Sequence, residues 1–211
     1  MNGEQLETKE KILNATIDIV GMKGEATIRE ITEKAGVNVA SINYYFGNKN
    51  NLLKEVENYY AEKLLKTGYD ILRDDNLKSK DKLFKWALNL IEYMYKYPAL
   101  IAIIVKLTND DKNYNPVMIK KIYFNDEIRE IIEDIIKDIT KIEDNRILNF
   151  KYLQLFSGIL GTVINHVVVS IYGDKKSILN LGDPEELRQY IRLLIDGILK
   201  LNKHFVIFLI F

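Results

Sequence analysis

Apolar residues fall at three- and four-residue spacings in a succession of segments, each the buried stripe of an amphipathic helix. Glu7–Lys23 carries Ile12, Leu13, Ile17 and Val20 on one face, and a short segment with Ile28, Ile31 and Ala35 follows. Val39–Tyr45 turns Ile42 and Phe46 inward, and Lys49–Leu72 carries Leu52, Leu53, Val56, Tyr59, Tyr60 and Leu64. Further on come Leu83–Tyr95, Ala99–Leu107 and a long isoleucine-striped segment from Val117 to Ile139. Arg146–Tyr172 is the most apolar stretch, and a last helix runs to about Lys203. The pattern predicts an all-α chain.

Local punctuation is densest between Thr27 and Leu52. Thr27-x-x-Glu30 is a complete capping box, in which each side chain satisfies a backbone N–H of the other. Gly36 closes that helix, since glycine adopts the left-handed conformation of a helix C-terminus without a Cβ clash. Asn38 supplies the N-cap of the next helix and Asn48 that of the one after. Two short helices around a glycine turn make a helix-turn-helix, whose second helix can enter the major groove of DNA. With Ile42 and Phe46 inward, Val39, Ala40, Ser41, Asn43, Tyr44 and Tyr45 lie variously outward. Small residues there permit close approach, Ser and Asn can bond base edges, and tyrosine hydroxyls can reach phosphates. Lys49 opens a helix whose positive dipole end disfavours a cation, a placement more readily explained by an anion shared with the backbone N–H groups.

The whole string, with Thr27, Ile31, Ala35, Gly36, Val37, Ile42, Tyr44, Tyr45, Phe46, Lys49 and Leu52, resembles the DNA-binding signature of the TetR family of bacterial one-component regulators. Asn38 stands where Ser is frequent in that family, Ala40 where Gly is, and Asn43 where Tyr is; these departures bear on which bases are read. The resemblance implies a first helix that braces the reading unit, with a phosphate contact near its N-terminus, and a base or phosphate contact from Arg29. It also implies a palindromic operator and loss of DNA binding when a small molecule enters the C-terminal domain. The expected DNA-facing set is Thr27, Arg29, Asn38, Val39, Ala40, Ser41, Asn43, Tyr44, Tyr45 and Lys49.

Composition narrows the chemistry. The 211 residues include no cysteine and two histidines, His166 and His204, so thiolate metal sites and most nucleophilic or zinc chemistry lack their parts. No cofactor, metal or enzymatic activity is expected. The formal net charge is zero, which runs against the basic footprint of a DNA-binding protein. Between Gly36 and Lys54, however, there are lysines and no acids. The N-terminus has no apolar run of the signal-peptide kind, so a cytoplasmic protein is expected.

These readings divide the chain into a helix-turn-helix DNA-binding domain at 1–50 and a helical ligand-binding and dimerisation domain at 51–211. The polar run from Asp74 to Asp81 reads as a break and a domain boundary, with the helix from Lys49 linking the two domains. Asp110 and Asp111 read as surface loop. Candidate pocket residues are Trp86, Tyr93, Tyr123, Phe124, Tyr152 and Phe156, with Asn165 or His166 as polar anchor. They favour a hydrophobic or aromatic effector. Gly158 and Gly161 let another helix approach Arg146–Tyr172, which reads as part of a four-helix dimer interface rather than a membrane span. Asp183-Pro184-Glu185-Glu186 is a strong helix start. The apolar tail from His204 to Phe211 is expected to pack on the dimer or the ligand domain. The leading expectation is a ligand-released repressor; the alternative is an effector-independent helix-turn-helix module for DNA or protein.

Overall fold

A computed structural model of the chain describes residues 3–23, 25–97, 99–172 and 181–200. Among them the helices are α1 (Gly3–Lys23), α2 (Ile28–Ala35), α3 (Val39–Phe46), α4 (Lys49–Leu72), α5 (Ser79–Lys96), α6 (Ala99–Asp110), α7 (Asp126–Thr140), α8 (Asn145–Tyr172) and α9 (Pro184–Leu199). No strand occurs among the described residues. The all-α expectation holds, and the tail 204–211 lies outside the described residues.

Packing divides the chain into two units, neither of them continuous in sequence: Met1–Lys66 with Lys96–Asn125, and Thr67–Tyr95 with Asp126–Phe211. The division falls inside α4 rather than at the polar run after it.

In the first unit α1 packs on α2 and α6, and α2 on α3. The shared core is Ile12, Val20, Ile31, Ile42, Leu52, Val56, Leu100 and Leu107, all essentially inaccessible to solvent. Tyr60 on α4 ties back to α1 by donating its hydroxyl to the Ile17 carbonyl at 3.0 Å, and burial pushes its ionisation well above the ordinary phenol range.

In the second unit α7, α8 and α9 pack on one another. Ile128, Ile132 and Ile136 of α7 face Leu155, Phe156 and Ile159 of α8 and Ile191 and Ile195 of α9 in one apolar core. Helices α8 and α9 run antiparallel. The Tyr190 hydroxyl donates to the Gly158 carbonyl at 3.2 Å, and the Lys151 ammonium reaches the carbonyls of Ile198 and Lys200. Ile198 lies in the last turn of α9 and Lys200 is its C-cap, where carbonyls lack intrahelical partners, so a cation from the neighbouring helix satisfies them. Burial lowers the Lys151 ammonium from its usual range.

The long helix expected from Val117 to Ile139 is interrupted. Ile119–Tyr123 forms a π-helical turn, in which the Phe124 N–H donates to the Ile119 carbonyl at 3.1 Å, and α7 starts afresh at Asp126. Asn125 bonds back to the Lys121 carbonyl, and Asp126 and Glu127 occupy the new helix's first turn, where acids suit the dipole. The start signal Asn125-Asp126-Glu127 outweighs the continuous isoleucine stripe.

The stretch Asn145–His166 of α8 is long and apolar enough to cross a membrane by length and composition. One face of it, Leu148, Tyr152, Leu155, Phe156, Ile159 and Val163, forms the core just described. Gly158 gives α9 its close approach: a Cβ there would lie 2.5 and 2.7 Å from the Leu194 methyls. Gly158→Ala is expected to cost about 1–2 kcal/mol through displacement of Leu194, despite the roughly 0.5–1 kcal/mol that alanine gains over glycine within a helix. Urea unfolding measures it, and a variant as stable as the parent would show that Leu194 moves aside freely.

Candidate nucleic-acid interface

The candidate interface is built from α2, the turn at Gly36 and α3. Thr27 accepts the Glu30 N–H at 3.1 Å, and Glu30 accepts the Thr27 N–H at 2.8 Å, so the capping box is complete. Gly36 sits at φ 66°, the left-handed region where a side chain is strained, and the Val37 N–H closes the turn on the Thr32 carbonyl at 3.0 Å. Asn38 Oδ1 accepts the Ala40 N–H at 2.9 Å and so starts α3. Gly47, at φ 77°, ends it. Asn48 Oδ1 then accepts the Asn51 N–H at 2.9 Å, while the Asn51 amide donates back to the Phe46 carbonyl at 3.0 Å. Three side-chain caps thus set where each helix begins.

Ile42 is 0% exposed and Phe46 6%, one helical turn apart, so α3 has a single face against the core. The rest turns outward. Asn38, Val39, Ala40, Asn43 and Tyr44 are exposed, while Ser41, Tyr45 and Lys49 are half-buried. The Tyr44 and Tyr45 rings meet edge to face with centroids 4.8 Å apart. From α1, Gln5 donates to the Tyr44 hydroxyl at 3.1 Å, and the Lys9 ammonium lies 5.5 Å from the Phe46 ring centroid. Nothing in the local sequence marks Gln5, because its partner lies 39 positions along the chain.

Two members of the expected set already have other work. The Thr27 side chain is occupied by the capping box, and Arg29 is exposed but pairs with Glu33 at 2.9 Å along α2. A phosphate or base would have to draw the Arg29 guanidinium off Glu33, at little cost because exposed pairs of this spacing are weak.

The expected ligand residues fall into separate groups. Trp86, Tyr152 and Phe156 form a buried cluster with the Phe156 ring 5.9 Å from Trp86 and 5.7 Å from Tyr152. His166 stacks on Tyr95 at 3.9 Å and 19°, and the Tyr95 hydroxyl donates to the Thr162 carbonyl. Tyr93 and Asn165 are half-buried. Tyr123 and Phe124 belong to the other packing unit, where they pair edge to face and are exposed. A cleft of about 500 Å³ in the second unit is lined instead by residues including Lys80, Phe84, Lys85 and Arg192, with the Arg192 guanidinium 5.5 Å from the Phe84 ring centroid. None of the expected aromatics lines it. Among the described residues no group of three acids or histidines could hold a metal ion.

Paired short helices with an outward, uncharged second helix, braced by α1, define a helix-turn-helix. Residues 12–56 match the family described as bacterial regulatory proteins, tetR family. The chain is 26% identical over 105 residues to a probable HTH-type transcriptional regulator, YttP, of Bacillus subtilis (strain 168), and spans about half (51%) of that relative's length. Its fold is similar to that of a TetR-family regulator from Mesorhizobium loti MAFF303099, with a TM-score of 0.66, 16% identity, and 94% of this chain and 98% of that one covered. It is also similar to the transcriptional regulator FadR from Bacillus subtilis in complex with stearoyl-CoA, with a TM-score of 0.58, 16% identity, and 90% and 97% covered. Residues 12–56 are therefore similar to the tetR-family segment, and the chain as a whole shares the fold of these solved regulators. These relatives are regulators, not enzymes.

Proposed function

We propose that the protein is a homodimeric repressor whose residues 1–50 read a palindromic operator in the bacterial cytoplasm and whose residues 51–211 bind an apolar effector and dimerise. The observation that carries this reading is the orientation of α3: Ile42 and Phe46 are buried, leaving Asn38, Val39, Ala40, Asn43 and Tyr44 on the outside. Base edges would be read by Ser41 and Asn43, and phosphates bound by Tyr44, Tyr45, Arg29 and Lys49, with the Thr27 cap holding the frame.

Dimerisation is supported by a second face of α8. Phe150, Leu153, Leu160, Ile164 and Val168 recur at helical spacing and are exposed, with Gly161 among them. A continuous apolar stripe of this length on one chain is a surface for another copy. Two-fold pairing would then present the α3 helices to successive major grooves about 34 Å apart.

Release by an effector requires that it bind the non-DNA-binding arrangement more tightly than the DNA-binding one. The acyl-CoA held by the FadR neighbour is consistent with an apolar effector. The effector-independent module is favoured by one observation: Trp86, Tyr152 and Phe156 are packed ring against ring. Titrating stearoyl-CoA and shorter acyl-CoAs into the protein–operator complex separates the two readings, since release by any of them supports the first.

Operator reading is tested with duplexes that the protein selects from a randomised library. Asn43→Ala is expected to relax discrimination at one base position by about 1–3 kcal/mol; an equal loss on every sequence would contradict a base contact. Lys49→Ala is expected to weaken binding on all duplexes and flatten the log–log salt dependence by about one unit, whereas an unchanged slope argues against a phosphate contact. Ile164, 63% exposed in the single chain, supplies the dimer test. Ile164→Asp should leave the fold intact and give a monomer by sedimentation, and a dimer that persists would move the interface off α8.

A further inference from the structure

Tyr44 stands 68% exposed on α3, yet its phenol is held in a fixed place. The Tyr45 ring braces it edge to face, and from the first turn of α1 the Gln5 amide donates to its hydroxyl at 3.1 Å. This second contact spans 39 positions of sequence and joins two helices of one packing unit. Helix α1 is anchored by Ile12, Ala15 and Val20, all buried, so Gln5 is presented from a fixed backbone. Gln5 itself is half-buried.

The direction of the bond decides what Tyr44 can do. A phenol carries a single proton and can also accept. With the Gln5 N–H filling an acceptor site, that proton points elsewhere, and among the described residues nothing accepts it. A hydroxyl that accepts one hydrogen bond is also the stronger donor of the next. A phosphate offers acceptor oxygens only, so it matches a phenol with a donor behind it and a free O–H in front. A cation that could compete is already engaged: Lys9, one turn after Gln5, pairs with Glu55 at 3.2 Å and lies 5.5 Å from the Phe46 ring centroid. Helix α3 carries no charge. What Gln5 and Tyr44 present to an anion is therefore a neutral hydrogen-bond relay.

We propose that Gln5 is a positioning residue for DNA binding: by donating to the Tyr44 hydroxyl it fixes the ring and turns the phenol proton outward, so that Tyr44 donates to a phosphate oxygen. The inference rests on the DNA-reading function above and deepens it, since it names what gives one phosphate contact its direction. A glutamate at position 5 would reverse the polarity. Its carboxylate would take the phenol proton and set a negative charge where the phosphate must come.

The test measures the affinity of the 211-residue chain for the duplex it selects from a randomised library, and for copies of that duplex with single base changes. Gln5→Ala is expected to weaken binding to all of them by one common factor of about three to ten, because a hydrogen bond to phosphate carries no sequence information. The slope of log affinity against log salt is expected to stay as in the parent, since no charge is removed. Gln5→Glu, of the same volume, is expected to lose more than Gln5→Ala. In a Tyr44→Phe background, Gln5→Ala is expected to cost less than about twofold further, because the group it positions is gone. A Gln5 that only supports α1, or that touches DNA by itself, would cost the same factor with or without the Tyr44 hydroxyl. That outcome, a loss confined to some of the duplexes, or a Gln5→Glu variant as tight as the parent overturns the inference alone. A parent that selects no duplex overturns the DNA-reading function, and the inference with it.

Discussion

Helix α3 has eight residues, too few to be stable by itself, and its orientation is fixed by the burial of two side chains one turn apart. Ile42 and Phe46 commit one face to the core shared with Ile12, Ile31 and Leu52. Once that face is committed, every other position is determined. The outward surface of α3 is therefore a consequence of core packing, and the rest of the first unit keeps that core in place. The caps at Thr27, Asn38 and Asn48 contribute about 1 kcal/mol each, but their larger effect is geometric, since they fix the residue at which each helix starts.

Electrostatics play a smaller part than in strongly basic DNA-binding proteins. The chain has 30 basic and 30 acidic residues, and α3 contains no charge at all. In the proposed reading Tyr44, Tyr45, Ser41 and Asn43 would offer hydrogen bonds and shape where others offer lysines. Such binding would give up non-specific affinity, which scales with phosphate neutralisation, and leave discrimination to base edges.

What could be read from the sequence is what is encoded within four residues. The capping box at Thr27, the glycine turn, Asn38, Asn48 and the Asp183-Pro184 start all stand as the local patterns indicate. The long isoleucine stripe misled, because periodicity continues across a break that Asn125-Asp126-Glu127 marks only weakly. Asp110 and Asp111 look like solvated loop residues, yet they meet Asn50 and Lys54 some sixty positions away. Glu57 is a charge on an apolar stripe, a visible anomaly, but its partners Tyr114 and Met118 are set by tertiary packing alone. The aromatic residues lie scattered along the sequence and suggest one pocket by chemistry alone. The fold instead divides them, with Tyr123 and Phe124 in one unit and Trp86, Tyr152 and Phe156 in the other.

Helix α8 explains why so apolar a segment belongs in this fold. One face builds the core with α7 and α9, and the opposite face carries Phe150, Leu153, Leu160, Ile164 and Val168. A helix apolar on both sides needs two partners, and among the described residues only the first is present, which leaves the second face for the copy proposed above. Operator reading as proposed requires both that α3 enters the major groove and that it does so twice across a dimer. Methylation protection of guanine N7 on the selected duplex tests both at once, because N7 lies in the major groove. The account predicts two protected patches on one side of the DNA, centred about one helical turn apart and related by the operator's two-fold. Protection of a single patch, or unprotected N7 positions beneath a bound protein, would contradict it.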